Sequence, residues 1–295
     1  MFKLPIEDIH NILDLLTLDT LQKLACVSSL CRAVVVNYLN RRKSILFAKY
    51  VEDAAAFNDL LRCTGSVVSG SLALQLILPR ASTNWHSTDM DIYISLSHKS
   101  TVMSFLADRG YNEINVENAS PYYPLSAVNS VITMAKKSKT VDVVVSSTLD
   151  AIYPIFQFHS TPVMNYIGAD SLFSAYPEMS TNFWGLLNSL SWRGGGRTRG
   201  YMNALAKYKR RGFNIQVVCA PCDVRVEGEH ISRGYTHCRR IIRTSDDENC
   251  LWMSLDATRV PEERSKQGDA VVVWCLFGPC DCTVAVKRNV RLIIV

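Results

Sequence analysis

The chain has 295 residues, of which 48% are hydrophobic and 20% charged, with Gly 14 and Pro 10. That is long enough for one large domain or two modest ones. It is too rich in aliphatic and aromatic residues for a disordered or low-complexity chain. No stretch approaches the ~18 uncharged apolar residues of a membrane-spanning helix. Glu7, Asp8, Asp14 and Asp19 interrupt the N-terminal apolar residues, unlike a secretory signal. The expectation is an intracellular protein, cytoplasmic or nuclear, whose ten cysteines are thiols or metal ligands rather than a disulfide frame. The formal net charge of +5 is unevenly spread: Ser191 to Arg243 holds Arg193, Arg197, Arg199, Lys207, Lys209, Arg210, Arg211, Arg225, Arg233, Arg239, Arg240 and Arg243 against three acids, Asp223, Glu227 and Glu229. Such a stripe suits a polyanionic partner, nucleotide phosphates or nucleic acid; a solvated helix face is the alternative.

In chain order, residues 1 to 45 read as short helices. Ile9, Ile12, Leu13 and Leu16, then Leu21, Leu24 and Ala25, then Val27, Cys31, Val34, Val35 and Tyr38 recur at helical steps. Asp19 and Ser28 are predicted N-caps, and Arg41-Arg42-Lys43 is predicted to close the region as a positive helix end. Residues 46 to 165 alternate helix and strand. A helix over Leu46–Leu61 leads to Gly65, a strand over Ser66–Gly70, a helix over Ser71–Leu78, a polar loop over residues 80–88 and a strand over Asp89–Leu96. A helix over Thr101–Asp108 and strands over Asn129–Ala135 and Thr140–Ser146 follow. Residues 166 to 213 read as a basic, mostly helical segment broken by Gly194-Gly195-Gly196. Residues 214 to 295 turn to β patterns and hold seven of the ten cysteines. The fold class expected is α/β (α+β), with a mixed sheet layered by helices.

The most informative segments carry acids. In Asp89-Met90-Asp91-Ile92-Tyr93-Ile94 strand alternation puts Asp89, Asp91 and Tyr93 on one face and Met90, Ile92 and Ile94 on the other. Two neighbouring carboxylates raise each other's pKa unless a cation bridges them, and Mg²⁺ favours such oxygen sites while bringing substrate phosphates with it. Asp142 stands alone in the β-branched run Thr140-Val141-Asp142-Val143-Val144-Val145, where a charge is costly unless paired or metal-bound. If the two strands are neighbours, three carboxylates meet on one face, as a two-metal phosphoryl-transfer site needs. Gly70-Ser71 supplies a tight strand-to-helix turn whose helix N-terminus offers N–H groups to a phosphate.

This order of Gly-Ser turn, Asp-x-Asp strand and third acid resembles the nucleotidyltransferase superfamily of the DNA polymerase β type over roughly residues 50 to 165. The resemblance implies that Asp89, Asp91 and Asp142 are catalytic and hold Mg²⁺, one ion or two, and that Gly70 and Ser71 bind a nucleotide triphosphate. The gap from Ser71 to Asp89 is longer than the family pattern. Lys207, Arg210 and Arg211, at helical spacing, are further nucleotide-binding candidates, facing a triphosphate or an RNA acceptor.

Two other features stand out. Leu4-Pro5-x-Glu7, Ile12-Leu13-x-x-Leu16, Leu21-x-x-Leu24, Val27-Ser28 and Arg32 resemble an F-box, which implies docking on the Skp adaptor of cullin-type ubiquitin ligases through residues 1 to 45. The alternative is that these helices pack on the α/β domain, since they are too few to bury their faces alone. The order of F-box-like helices, Gly-Ser turn, acids, Phe158-His159-Ser160-Thr161-Pro162-Val163-Met164-Asn165 and the basic segment resembles a group of uncharacterised fungal proteins and implies no activity. The Phe158–Asn165 run reads as a buried hydrogen-bonding turn or as a pocket wall. Among the cysteines, Cys219-x-x-Cys222 is a zinc half-site whose other half is open between Cys238 and Cys250 and the alternatives His230 and His237; buried thiols are the alternative to a zinc site. The functions expected are Mg²⁺-dependent nucleotidyl transfer to a hydroxyl acceptor, a non-catalytic ligase adaptor on an inactive fold of the same type, or nucleic-acid binding.

Overall fold

A computed structural model describes residues 4–118, 127–188, 199–216, 241–259, 271–276 and 292–294. The chain opens with helices α1 (Ile6–Leu13), α2 (Leu18–Val27), α3 (Ser29–Ala48) and α4 (Ala54–Thr64). Ser28 caps α3 through the Cys31 amide, as the sequence predicts, whereas α2 is capped by Thr17 rather than Asp19, which falls in its first turn. Asp53 caps α4, and Gly65, in the left-handed conformation, ends it.

Strand β1 (Val67–Ser69) leads directly into α5 (Gly70–Ile77). Then come β2 (Asp89–Ile94), α6 (Lys99–Ala107), β3 (Asn112–Asn118), β4 (Val128–Lys136), β5 (Lys139–Ser146), β6 (Asn165–Ile167), β7 (Ser171–Ser174), α7 (Pro177–Thr181), β8 (Trp184–Leu186), α8 (Arg199–Arg210), β9 (Asn214–Gln216), β10 (Arg243–Thr244), β11 (Leu251–Ser254), β12 (Val271–Trp274) and β13 (Leu292–Ile294). Among the described residues, eight strands form one sheet in the order β11-β7-β6-β1-β2-β5-β4-β3. Its one parallel pair is β2 with β5; the remaining neighbours run antiparallel. The fold class is thus α/β with a mixed sheet.

Strand alternation sorts the core. Val68, Met90, Ile92, Ile94, Val141, Val143 and Val145 face a cluster built with Leu13, Leu21, Leu39, Phe47 and Phe57 from the N-terminal helices. Val67, Tyr93 and Val144 face a second cluster with Phe156, Phe173, Tyr176 and Trp274. Each fully buried Leu or Phe contributes roughly 1.5–3 kcal/mol, so the first cluster welds the N-terminal helices to the sheet.

Three expected boundaries do not hold. The positive run Arg41-Arg42-Lys43 does not end a helix, because α3 continues to Ala48 and Arg42 and Lys43 are buried. The Arg42 guanidinium donates to the Gln75 and Leu78 carbonyls, both at 3.1 Å, at the open C-terminal end of α5, and Lys43 Nζ donates to Ala169 O at 2.6 Å. Burial pushes the Lys43 ammonium down to about 8. The boundary at 165 falls at the start of β6, inside the sheet. Among the described residues of 166 to 213, the helices α7 and α8 share the segment with strands β6, β7 and β8, so it is not mostly helical there; strands of three or four residues are too brief to show a period. Lastly, β11 of the expected C-terminal region pairs with β7, while Gln22 and Asn40 donate to the Trp252 and Leu255 carbonyls.

Removing the Arg42 guanidinium leaves two α5 carbonyls without a donor. Arg42→Met is expected to lower the unfolding free energy by about 2–4 kcal/mol, measured by urea titration, with Arg41→Met on the exposed side of the same helix nearly neutral.

Candidate functional site

The register of three strands assembles the site. β2 and β5 run parallel with Asp91 opposite Asp142 and Asp89 opposite Thr140. On the other side of β2, Ser69 of β1 pairs with Asp91, so the chain enters the Gly70 turn beside that carboxylate. Asp89, Asp91 and Asp142 therefore share one sheet face, the same face as Tyr93 and Val144, and all three are partly buried. The sequence places Asp142 on a strand; only the pairing shows that the strand is the neighbour of β2.

Gly70 is required here. Its φ is +66°, and a Cβ on it would lie 2.0 Å from Asp91 Oδ2, so the Asp91 carboxylate rests directly against the bare Gly70 Cα. Ser71 opens α5 with its hydroxyl 2.6 Å from Ser87 Oγ and 3.5 Å from Asp89 Oδ1. Ser87 Oγ in turn donates to Asp89 O at 2.6 Å.

The long gap from Ser71 to Asp89 is a tied loop. Gln75, a polar residue set among the apolar residues 72–77 of the buried α5, donates from Nε2 to Trp85 O at 3.2 Å and lies 3.1 Å from His86 Nδ1. Tyr50 OH donates to Ser87 O at 3.1 Å. These ties bring Ser87 to Asp89 and hold Trp85 beside α5. Sequence reasoning passes over both, although a glutamine amid Leu72-Ala73-Leu74 and Leu76-Ile77 is a readable signal of a buried tether.

Helix α8 closes the other side. Tyr208 is buried with Leu74, Leu78, Val163 and Phe213, which orients its neighbours: Lys207 Nζ lies 3.8 Å from Asp89 Oδ1. Just past the helix end, the Arg211 guanidinium stacks 4.0 Å over the Trp85 ring and donates to His86 O at 3.3 Å. Arg210 is exposed on the outer side of the helix and does not join Lys207 and Arg211. The Phe158–Asn165 segment is a hydrogen-bonded turn: Thr161 Oγ1 accepts from Leu186 N at 3.0 Å and Asn165 Nδ2 donates to Pro162 O at 2.6 Å. It also walls the site, with Phe158 packed edge-on against Tyr93 and His159 against Tyr208.

The electrostatics follow from this crowding. Burial first, then Asp89 and Asp142, raise the Asp91 carboxyl to about 8, opposed by Lys207. Asp142 is raised by burial against a hydrogen bond from Thr133, its partner on β4. Burial and then Lys207 lower His159 to about 4, so its ring is neutral at physiological pH.

The donor set suits a hard divalent cation. Asp142 Oδ1 is buried without a hydrogen-bond partner, and Asp91 ionises readily only beside added positive charge. As the side chains stand, no three His, Cys, Asp or Glu groups among the described residues close around one point; a bridging ion needs the carboxylates to rotate toward it.

The remaining candidates scatter. Cys219, Cys222 and Cys238 lie outside the described residues, as do Arg193, Arg197, Arg225, Arg233, Arg239 and Arg240. Cys250 Sγ accepts from Arg243 at 3.4 Å and lies 3.5 Å from Thr244 O. Arg243, counted with the basic stripe, is not a surface charge: it is buried, paired with Asp247 and packed 4.8 Å over Tyr176. No helix among the described residues is long and apolar enough to cross a membrane. Compared with known proteins, the chain matches no protein-family model, no curated protein and no solved structure.

Because Asp91 holds its proton more tightly folded than unfolded, its contribution to stability is complete below the ordinary carboxylate pKa and is lost as pH rises toward about 8. In metal-free buffer, Asp91→Asn is expected to remove that fall, giving a variant more stable than wild type at pH 8 by a margin that shrinks toward pH 4. Thermal melts across that range check it.

Proposed function

We propose that this site transfers a nucleotidyl group from a nucleoside triphosphate to a hydroxyl acceptor. The observation that carries the reading is the convergence of Asp89, Asp91 and Asp142 beside the Gly70-Ser71 turn. Separate strands deliver these residues to one face, at a cost in charge repulsion that a core would not otherwise tolerate. Asp89, Asp91 and Asp142 would hold Mg²⁺. When bound, the ion supplies charge stabilisation to the phosphoryl oxygens and a hold on attacking and leaving groups. The α5 N-terminus and Ser71 bind phosphate oxygens through N–H and O–H donors, and Lys207 and Arg211 add positive charge on the far side. Asp142, whose proton affinity is raised, takes the proton of the attacking hydroxyl. The acceptor oxygen bonds to the α-phosphorus, the bond to the bridging oxygen breaks, and pyrophosphate leaves.

Calorimetric titration with nucleoside triphosphates, with and without Mg²⁺, tests this reading. Wild type is expected to bind with Mg²⁺, and Asp89→Asn/Asp91→Asn to lose at least ~100-fold in affinity while its melting curve stays cooperative. Folded wild type that binds no triphosphate under any condition sinks the proposal.

A second reading rests on a separate observation. The N-terminal helices bury Ile9, Leu13, Leu18, Leu21 and Ala25 but expose Leu4, Ile6, Ile12, Leu15, Val27 and Leu30. Exposed apolar side chains in such number favour a protein partner, and the F-box resemblance makes it a Skp-type adaptor. Ile12→Glu/Leu15→Glu is expected to abolish capture by a purified adaptor of this type and to leave nucleotide binding unchanged; an adaptor that ignores wild type removes this reading and not the first.

A further inference from the structure

In-line transfer sends the pyrophosphate out opposite the incoming oxygen. The Gly70-Ser71 turn follows β1, and α8 packs through Tyr208 on Leu74 and Leu78 of α5, so the phosphate donors stand on the β1 side of β2. The acceptor then enters from the other side, where β5, β4 and β3 follow in that order. Residues paired across neighbouring strands share a face. Asp142 pairs with Thr133, Thr133 with Asn115, and Val131 with Glu117. Thr133, Asn115 and Glu117 therefore continue the acid face outward to β3 as a shelf. Thr133 is half-buried, and Asn115 and Glu117 are exposed, so the shelf is open to a ligand. Asn115 Nδ2 donates to Glu117 Oε1 at 3.3 Å, which leaves the amide oxygen on the same shelf. Burial, then Asp89, then Glu117 raise the Asp142 carboxyl, so Glu117 lies within electrostatic reach of it.

The charge of this half is one-sided. The lysines of the β4–β5 hairpin turn to the opposite face: Lys136 Nζ lies 2.8 Å from Glu52, which follows α3, and Lys139 acts on the same carboxylate. Among the described residues no lysine or arginine pairs with Glu117. The shelf thus offers a carboxylate, an amide oxygen and a hydroxyl, and no cation. An RNA strand laid over it meets repulsion at every phosphate, and a neutral polyol leaves the carboxylate unmatched. From these observations we propose that the hydroxyl acceptor is a small amine-bearing polyol, with its ammonium on Glu117 and Asn115 and its attacking hydroxyl beside Asp142. The inference rests on the transfer reading for the reaction and adds the chemical class of the acceptor, with Glu117 as its specificity-determining residue. Strand spacing sets the size. β5 and β3 are two spacings apart, so ammonium and hydroxyl are separated by about 10 Å or less, the span of two sugar-sized rings.

The test is calorimetric titration of the full chain, in Mg²⁺ with a non-hydrolysable nucleoside triphosphate, using three probes. They are the β-1,4-linked disaccharide of glucosamine, its N-acetylated form, which keeps the skeleton and loses the charge, and a short oligoadenylate with a terminal hydroxyl. Wild type is expected to bind the amine disaccharide, and the acetylated form at least ~3-fold more weakly. Glu117→Gln is expected to lose ~3- to 10-fold for the amine form, the scale of one exposed charge-assisted contact, and nothing for the acetylated one. Glu113, on the same exposed strand but paired with Met134 of the apolar face, is the control: Glu113→Gln is expected to stay within ~2-fold of wild type. Wild type that ignores the amine disaccharide or prefers oligoadenylate, Glu117→Gln that binds as wild type does, or Glu113→Gln that loses as much, overturns the inference; the last outcome marks diffuse surface charge. The arms separate it from the transfer reading. A wild type that binds triphosphate with Mg²⁺ but not the amine disaccharide removes this acceptor and leaves transfer standing. A wild type that binds the disaccharide through Glu117 and no triphosphate removes transfer, and the acceptor role with it.

Discussion

The parallel pairing of β2 with β5 sets Asp91 directly opposite Asp142, with Asp89 two residues along the same face. Like charges facing each other across neighbouring strands are destabilising, and here they sit on a partly buried face, while the other face of β2 and β5 packs Met90, Ile92, Ile94, Val141, Val143 and Val145 into the apolar core. The molecule contains the strain in two ways. Asp91 keeps its proton up to an unusually high pH, and Lys207 is brought in from a distant helix to lie beside Asp89. The Gly70 turn depends on the same geometry, because Asp91 fills the space that any Cβ at position 70 would need.

The N-terminal helices support this arrangement from the opposite face. Helix α5 is buried along its whole length, so the carbonyls at its C-terminal end cannot turn to water. Arg42 reaches them from α3 and supplies both hydrogen bonds and positive charge where the helix dipole is negative. Because α5 begins at Gly70-Ser71, anchoring one end of the helix fixes the turn at the other. Residues 4 to 45 are therefore part of the support of the site, and their outward apolar residues remain exposed on its far side.

Helix α8 and the loop from residue 80 to 88 make the opposite wall. Neither comes from the central strands, and both are held by polar ties: Gln75 and Tyr50 to the loop, Arg211 between loop and helix. A loop tied at this many points holds its side chains in place as a strand would. The extra length between Ser71 and Asp89 thus carries Ser87 to Asp89 and Trp85 to Arg211 instead of disturbing the carboxylates.

The sequence alone determined the local elements and their faces. The alternation in Asp89–Ile94, the apolar run around Asp142, the Ser28 cap and the Gly70 break each specify conformation through side-chain volume, branching and local hydrogen bonding, which act within a few residues. It also showed which acids would share a face if their strands met. Tertiary structure decided that they do meet, since pairing between β2 and β5 is a contact across about fifty residues that no local preference encodes. It likewise decided that Arg42, Lys43 and Arg243 are buried, that Lys207 and Arg211 but not Arg210 face the wall, and that the brief strands β6 and β7 extend the sheet past residue 165. A charged side chain in a sequence carries no sign of the carbonyl or carboxylate that will compensate its burial. That partner comes from another element, and only packing brings the two together.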